Sequence, residues 1–98
     1  MFDPILHQPT RTKIVSTIAA NEEGVSFREL QSVCEATQGN LNSHLKTLED
    51  AEYIEFEKFF EGRRPKTIYR LSPKGKEAFR KYIETLVGFI TNNKEGKK

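Results

Sequence analysis

The sequence predicts a mainly α fold with a small β-hairpin, an α+β class, from three observations. Apolar residues recur at helical spacing in four segments. One stretch, residues 53–60, changes to a period of two and leads through a charged turn into a second β-rich run. Helix-start signals, the Ser26–Glu29 capping box and the Ser72-Pro73 pair, fall between the segments. Ninety-eight residues allow one domain. It is expected over residues 1–91, with a flexible polar tail at 92–98.

Each element has its own local reason. Asp3-Pro4 caps a short turn carrying Ile5 and Leu6. Pro9 opens the first helix, whose apolar stripe is Ile14, Val15, Ile18 and Ala19; Asn21 to Gly24 ends it. In the second helix, Phe27, Leu30 and Val33 form the inward face. Thr37 is the N-cap of a third helix over about residues 38–51, lined by Leu41, Leu45 and Leu48. Residues 53–60 then read as a strand, with Ile54, Phe56 and Phe60 alternating with Glu55, Glu57 and Phe59. Residues 61–66 form the turn and residues 67–71 the second strand. A final helix starts at Pro73 and runs to about residue 90.

Three helices followed by a hairpin and a helix, with a short turn between the second and third helices, is winged helix-turn-helix topology. At 100° per residue, the third helix turns Gly39, Asn42, Ser43, Lys46 and Thr47 away from its leucine stripe. Gln38 and Asn40 stand at its N-terminal rim. No acid occurs between Gln38 and Leu48. Amides and hydroxyls both donate and accept hydrogen bonds, which is what reading base edges in a groove requires. In an isolated helix such a face is equally well solvated surface; the adjacent hairpin favours the binding role. Its turn carries Arg63, Arg64 and Lys66, with Lys58 on the strand before it. Cations on a protruding hairpin suit phosphates or a narrow minor groove, although edge strands also use them against aggregation.

At these residues the chain resembles a known family. Asn40-Leu-Asn-Ser-His-Leu-Lys-Thr-Leu-Glu49 followed by Ala51-Glu-Tyr-Ile54 is similar to the recognition-helix signature of ArsR/MarR-type winged-helix transcriptional regulators. The run from Gly62 to Gly75 (GRRPKTIYRLSPKG) resembles their wing and the helix after it. The likeness covers about residues 3–90 and is strongest to short members that are little more than the winged domain. It implies a homodimeric DNA-binding regulator. The metal-sensing branch carries a Cys-x-Cys pair or a His/Asp cluster, and this chain has neither, so metal sensing is not implied.

Composition narrows the remaining chemistry. Hydrophobic residues at 36% and charged residues at 31% describe a globular rather than a disordered chain. Apolar runs of two or three residues exclude a transmembrane helix. The opening MFDPILHQPT does not fit a signal peptide. The single cysteine, Cys34, cannot form an internal disulfide, which fits a cytoplasmic location. It reads as a small buried hydrophobe, and His7 and His44 read as structural rather than as ligands. No nucleophile has an evident activating base, so no enzyme and no cofactor are expected.

Net charge is +2, but it is unevenly spread. Residues 1–36 carry −2 (three bases, five acids), residues 37–72 carry 0 (six and six), and residues 73–98 carry +4 (seven and three). The last helix also has apolar residues over more than half its circumference: Phe79, Tyr82, Ile83, Leu86, Val87, Phe89 and Ile90. One small domain covers one stripe, so these residues are expected to form a homodimer interface with a second copy. Phe2, Ile5 and Leu6 could pack on the same helix.

The expected function is therefore a homodimeric regulator that binds double-stranded DNA sequence-specifically. Gln38, Asn40, Asn42, Ser43, Lys46 and Thr47 would face the major groove. Arg63, Arg64 and Lys66 would hold flanking backbone or minor groove. The alternative is a winged helix that serves as a protein–protein module in a larger assembly.

Overall fold

The N-terminal turn and the helices each start on a side-chain cap, and all but that of the first helix were marked in the sequence. Asp3 Oδ1 accepts from the Ile5 N–H at 2.8 Å and closes the first turn. Gln8, rather than a residue of the usual capping set, accepts from the Arg11 N–H at 2.8 Å and caps α1 (Pro9–Ala19). The Ser26–Glu29 capping box forms in both directions, at 3.1 and 3.0 Å, and opens α2 (Phe27–Cys34). The bond from the Ser26 N–H holds the Glu29 carboxyl below the usual range. Thr37 caps α3 (Gln38–Asp50) through the Asn40 N–H.

In this computed structural model, which describes residues 1–96 with side chains through residue 92, the remaining elements are β1 (Val25–Ser26), β2 (Ile54–Glu61), β3 (Arg64–Leu71) and α4 (Pro73–Gly96). The three strands form one antiparallel sheet in the order β1-β3-β2. Strand β1 was not expected. Two residues are too few for a period to register, and what defines them is pairing of Val25 with Tyr69 and Ser26 with Ile68.

The hairpin is also tighter than the six-residue turn expected. Glu61 pairs with Arg64, leaving only Gly62 and Arg63 between the strands. Gly62 has φ +66°, a value that the first central position of a II′ turn needs and glycine adopts freely.

The core is small and draws on every layer. Ile14, Val15 and Ile18 of α1 meet Leu30 of α2 and Leu41, Leu45 and Leu48 of α3. Leu6, Val25, Ile54, Tyr69, Leu71 and Tyr82 close it. The expected α1 and α3 stripes are thus inward, except that Ala19 is exposed. Val33 also departs from expectation: it is 42% exposed, because α2 is only two turns long and Phe27 and Leu30 supply its contact. On β2 only Ile54 is buried; Phe56, Phe59 and Phe60 are exposed because the hairpin projects beyond the helices.

Tyr53, at the junction between α3 and β2, donates its hydroxyl proton to Asp3 Oδ2 at 2.5 Å. Burial first, and this carboxylate second, push the phenol pKa up to about 12. The unfolded phenol ionises near 10. Its contribution to stability is therefore complete below pH 10 and is lost as the pH rises toward 12. In urea titrations from pH 9 to 12, the gap between wild type and Tyr53→Phe is expected to shrink across that window; a constant gap would remove the assignment.

Candidate nucleic-acid interface

Helices α2 and α3 are joined by a three-residue turn. Glu35 ends α2 in the left-handed region, with φ +51°. This turn holds α3 with its leucines inward and its polar side free. Gln38, Gly39, Asn40, Asn42, Ser43 and Lys46 are all exposed, as the angular argument requires. Thr47 is half-buried, and its hydroxyl donates to the Ser43 carbonyl at 3.2 Å. Lys46 pairs with Asp50 one turn on, at 3.1 Å, so its charge is shared with the acidic end of the helix.

The wing completes the surface. An open cleft of about 610 Å³ lies between the start of α2, the first half of α3 and the hairpin. Gln38 and Asn42 line it from α3; Arg64, Lys66, Lys58, Thr67 and Tyr69 line it from the hairpin; Arg28 lines it from α2. Of the expected site residues, the fold thus brings Gln38, Asn42, Arg64 and Lys66 around one cavity. Asn40, Ser43, Lys46 and Thr47 belong to the α3 surface beside it, and Arg63 stands at the tip of the turn. Four cations face a single acid, Glu61, in the cleft, and Glu61 pairs with Lys66 at 3.4 Å. Among the described residues, Arg63 and Arg64 have no ion-pair partner.

Arg28 was missed by sequence reasoning. Its position just inside a capping box marks a helix start, but only the fold shows that this start borders the wing.

Among the described residues of the C-terminal third, Lys74, Arg80 and Lys81 are engaged in ion pairs away from the cleft. Arg80 pairs with Glu77 at 2.7 Å and also with Glu84, while Lys74 reaches Glu52 at 3.5 Å. These exposed pairs contribute little stability, but they cancel charge locally.

The histidines and the cysteine are held in structural contacts. His44 accepts a hydrogen bond at Nδ1 from Arg11 at 3.1 Å. Burial, then the guanidinium beside it, lowers its pKa. His7 stacks on Phe2 with ring centres 4.4 Å apart and contacts the Tyr82 hydroxyl at 3.1 Å. Cys34 is half-buried against the core, and burial pushes its thiol pKa up. Among the described residues, no three His, Cys, Asp or Glu side chains converge as metal ligands, and no helix is long and apolar enough to cross a membrane.

Helix-turn-helix followed by a two-stranded wing, with a polar helix face and a basic hairpin around one cleft, defines a winged helix-turn-helix module. The chain belongs to the winged helix DNA-binding domain family, whose sequence model matches residues 10–90. It is 33% identical over 88 residues to an uncharacterized protein of Methanocaldococcus jannaschii, covering 90% of this chain and 95% of the relative. It is similar to the transcriptional regulator homologue protein from Pyrococcus horikoshii OT3, with a TM-score of 0.82 and 27% identity over 90% of this chain and 86% of that one. It also shares the fold of Bacillus subtilis PadR, solved in complex with operator DNA. There the TM-score is 0.67 and the identity 19%, over 78% of this chain and 47% of PadR. The winged-helix regulator likeness carried by residues 40–54 and 62–75 is borne out, and the class is one of transcriptional regulators, not enzymes.

Helix α4 continues to Gly96, past the end expected near residue 90. The expected flexible tail, residues 92–98, therefore begins inside the helix, and residues 97–98 lie outside the described residues. The residues expected on the dimer face divide into two groups. Tyr82 is only 6% exposed and packs with Phe79 against the chain's own core, where Phe2 covers it at a ring distance of 5.7 Å. Phe89 meets the same Phe2 edge-on at 6.0 Å but stays half exposed. Ile83, Val87 and Ile90 are exposed at i, i+4, i+7 spacing, with Leu86 half-buried beside them.

Proposed function

We propose that the protein is a cytoplasmic, sequence-specific regulator that binds double-stranded DNA as a homodimer. In this reading α3 enters the major groove, and Gln38, Asn40, Asn42, Ser43, Lys46 and Thr47 face base edges and the adjacent backbone. Arg63, Arg64 and Lys66 hold phosphates or the minor groove beside it, and Arg28 adds a backbone contact from α2. The observation that carries the reading is the shared cleft: the acid-free first half of α3 and the basic wing open on the same side. Amides there can form bidentate hydrogen bonds to adenine, and the cations neutralise phosphates without reading sequence. PadR, which shares this fold, was solved in complex with operator DNA, which supports double-stranded DNA as the partner. The dimer would present two copies of α3 to half-sites roughly 34 Å apart. Ile83, Leu86, Val87, Phe89 and Ile90 would form the interface.

The test is selection of bound duplexes from a random pool, followed by mobility-shift titration of the selected site over salt. Affinity is expected to fall steeply as salt rises. The double variant Arg63→Ala/Arg64→Ala should bind more weakly to every duplex and flatten the salt slope by roughly 1–2. Asn42→Ala should instead change which duplexes are selected and leave the slope in place. Failure to retain any duplex at low salt would leave the protein–protein alternative.

A further inference from the structure

The side chains of β2 alternate between two faces, and one of them continues past the cleft to the wing tip. Ile54, Phe56, Lys58 and Phe60 share that face, opposite Leu71, Tyr69, Thr67 and Pro65. Ile54 and Tyr69 belong to the core, and Lys58, Thr67 and Pro65 line the cleft. Phe60 is the last side chain on this face and is 72% exposed. Phe56 has Tyr69 at a ring distance of 6.1 Å and the Lys58 ammonium 5.7 Å above it. Among the described residues, no ring or cation is stacked on Phe60.

The surroundings select the occupant. Phe60 follows Lys58 on the same strand face and precedes Arg63 and Arg64 at the turn, none of these three cations being ion-paired among the described residues, whereas Glu61 is taken by Lys66. A second copy meeting this tip would bring two sets of cations together. A polyanion with flat apolar surfaces inside it would not. The turn is also short, with only Gly62 and Arg63 between the paired residues Glu61 and Arg64, so a single side chain rather than the whole ribbon would enter the minor groove, which is about 6 Å wide.

We propose that Phe60 is an apolar wedge, inserted from the wing into the minor groove of the bound duplex, which partly unstacks one base step and bends the DNA. Arg63 and Arg64 anchor the phosphates on either side, and Pro65, paired opposite, stiffens the base of the wedge. Kinking by inserted Phe or Pro side chains is a known way to bend a duplex. The inference rests on the DNA-binding reading above and gives the wing a role beyond charge.

The experiment uses the selected duplex with 2-aminopurine placed in turn at each step flanking the α3 contact, and dyes at both ends. Wild-type protein should raise 2-aminopurine fluorescence at one step and shorten the end-to-end distance. Phe60→Ala should abolish both signals and weaken binding by about tenfold, with the salt slope unchanged because no phosphate contact is lost. Phe60 is exposed, so the variant's circular dichroism should match wild type. Wild-type binding without unstacking or bending would overturn the wedge and leave the DNA-binding reading intact. So would a Phe60→Ala variant with wild-type signals. A shift in the sedimentation of free Phe60→Ala would assign the residue to self-association instead. Absence of any duplex binding by wild type would overturn both readings.

Discussion

Gly75→Ala is expected to cost about 3 kcal/mol or more of stability, the upper end for forcing an atom into a packed interior. A Cβ built at Gly75 would sit 1.9 Å from the Tyr53 carbonyl oxygen and 2.8 Å from its carbonyl carbon. Neither side can yield cheaply. The Tyr53 carbonyl accepts from the Ser72 N–H at 3.1 Å, and the Tyr53 N–H donates to the Leu48 carbonyl at 3.0 Å. The Ser72 hydroxyl donates to the Glu52 carbonyl at 2.6 Å and accepts from the Gly75 N–H at 2.9 Å. Glu52 itself is in the left-handed region, with φ +64°. This knot fixes where α3 ends, where the wing begins and how α4 leaves. Domains of this size hold only about 5–15 kcal/mol in total, so the urea midpoint should fall by a large fraction. Gly39→Ala is the control. Nothing lies within 4 Å of a Cβ there, and replacing a helical glycine should gain up to about 1 kcal/mol. A Gly75→Ala midpoint equal to wild type would show that the junction repacks freely.

Gly75 also marks the limit of what the sequence disclosed. Helix starts were legible because Ser26, Thr37 and Ser72-Pro73 act within three residues of themselves, and the bonds they signal are present. The leucine stripe of α3 was legible because a 3.6-residue period needs no partner to be seen. What escaped depends on residues far apart in the chain. Strand β1 exists through its pairing with β3, over forty residues away. Arg28 joins the cleft only because α2 starts beside the wing. Gly75 is essential only because Tyr53 crosses it. The β2 pattern misled in a more instructive way. Alternation of aromatic and acidic residues predicts one wet and one dry face, but the hairpin projects past the helices, and its dry face is covered only at Ile54, Tyr69 and Leu71. Tyr82 misled similarly: periodicity grouped it with the exposed residues of α4, whereas Phe2 and His7, brought over from the other end of the chain, bury it.

The double variant Val87→Glu/Ile90→Glu should convert a dimer to a monomer in sedimentation and lower affinity for a two-half-site duplex by about 10²–10⁴. That is the range by which linking two binding events exceeds one. Both side chains are more than half exposed, at 56% and 57%, so the protomer should fold as before. With Ile83 they form a stripe at i, i+4, i+7 on a helix about 36 Å long at 1.5 Å per residue. The protomer's own apolar contacts use the neighbouring face, through Phe79 and Tyr82. A chain that leaves such a stripe to water loses the burial energy of each side chain, about 1.5–3 kcal/mol apiece. An isologous pair recovers it twice over, because each protomer contributes the same patch. Affinity for a single half-site should be unchanged, since α3 and the wing lie outside the substituted stripe, and this separates loss of dimerisation from loss of DNA contact. A variant that still sediments as the wild type would place the self-association surface elsewhere. In that case the half-exposed Phe89, which already touches Phe2, is the next position to change.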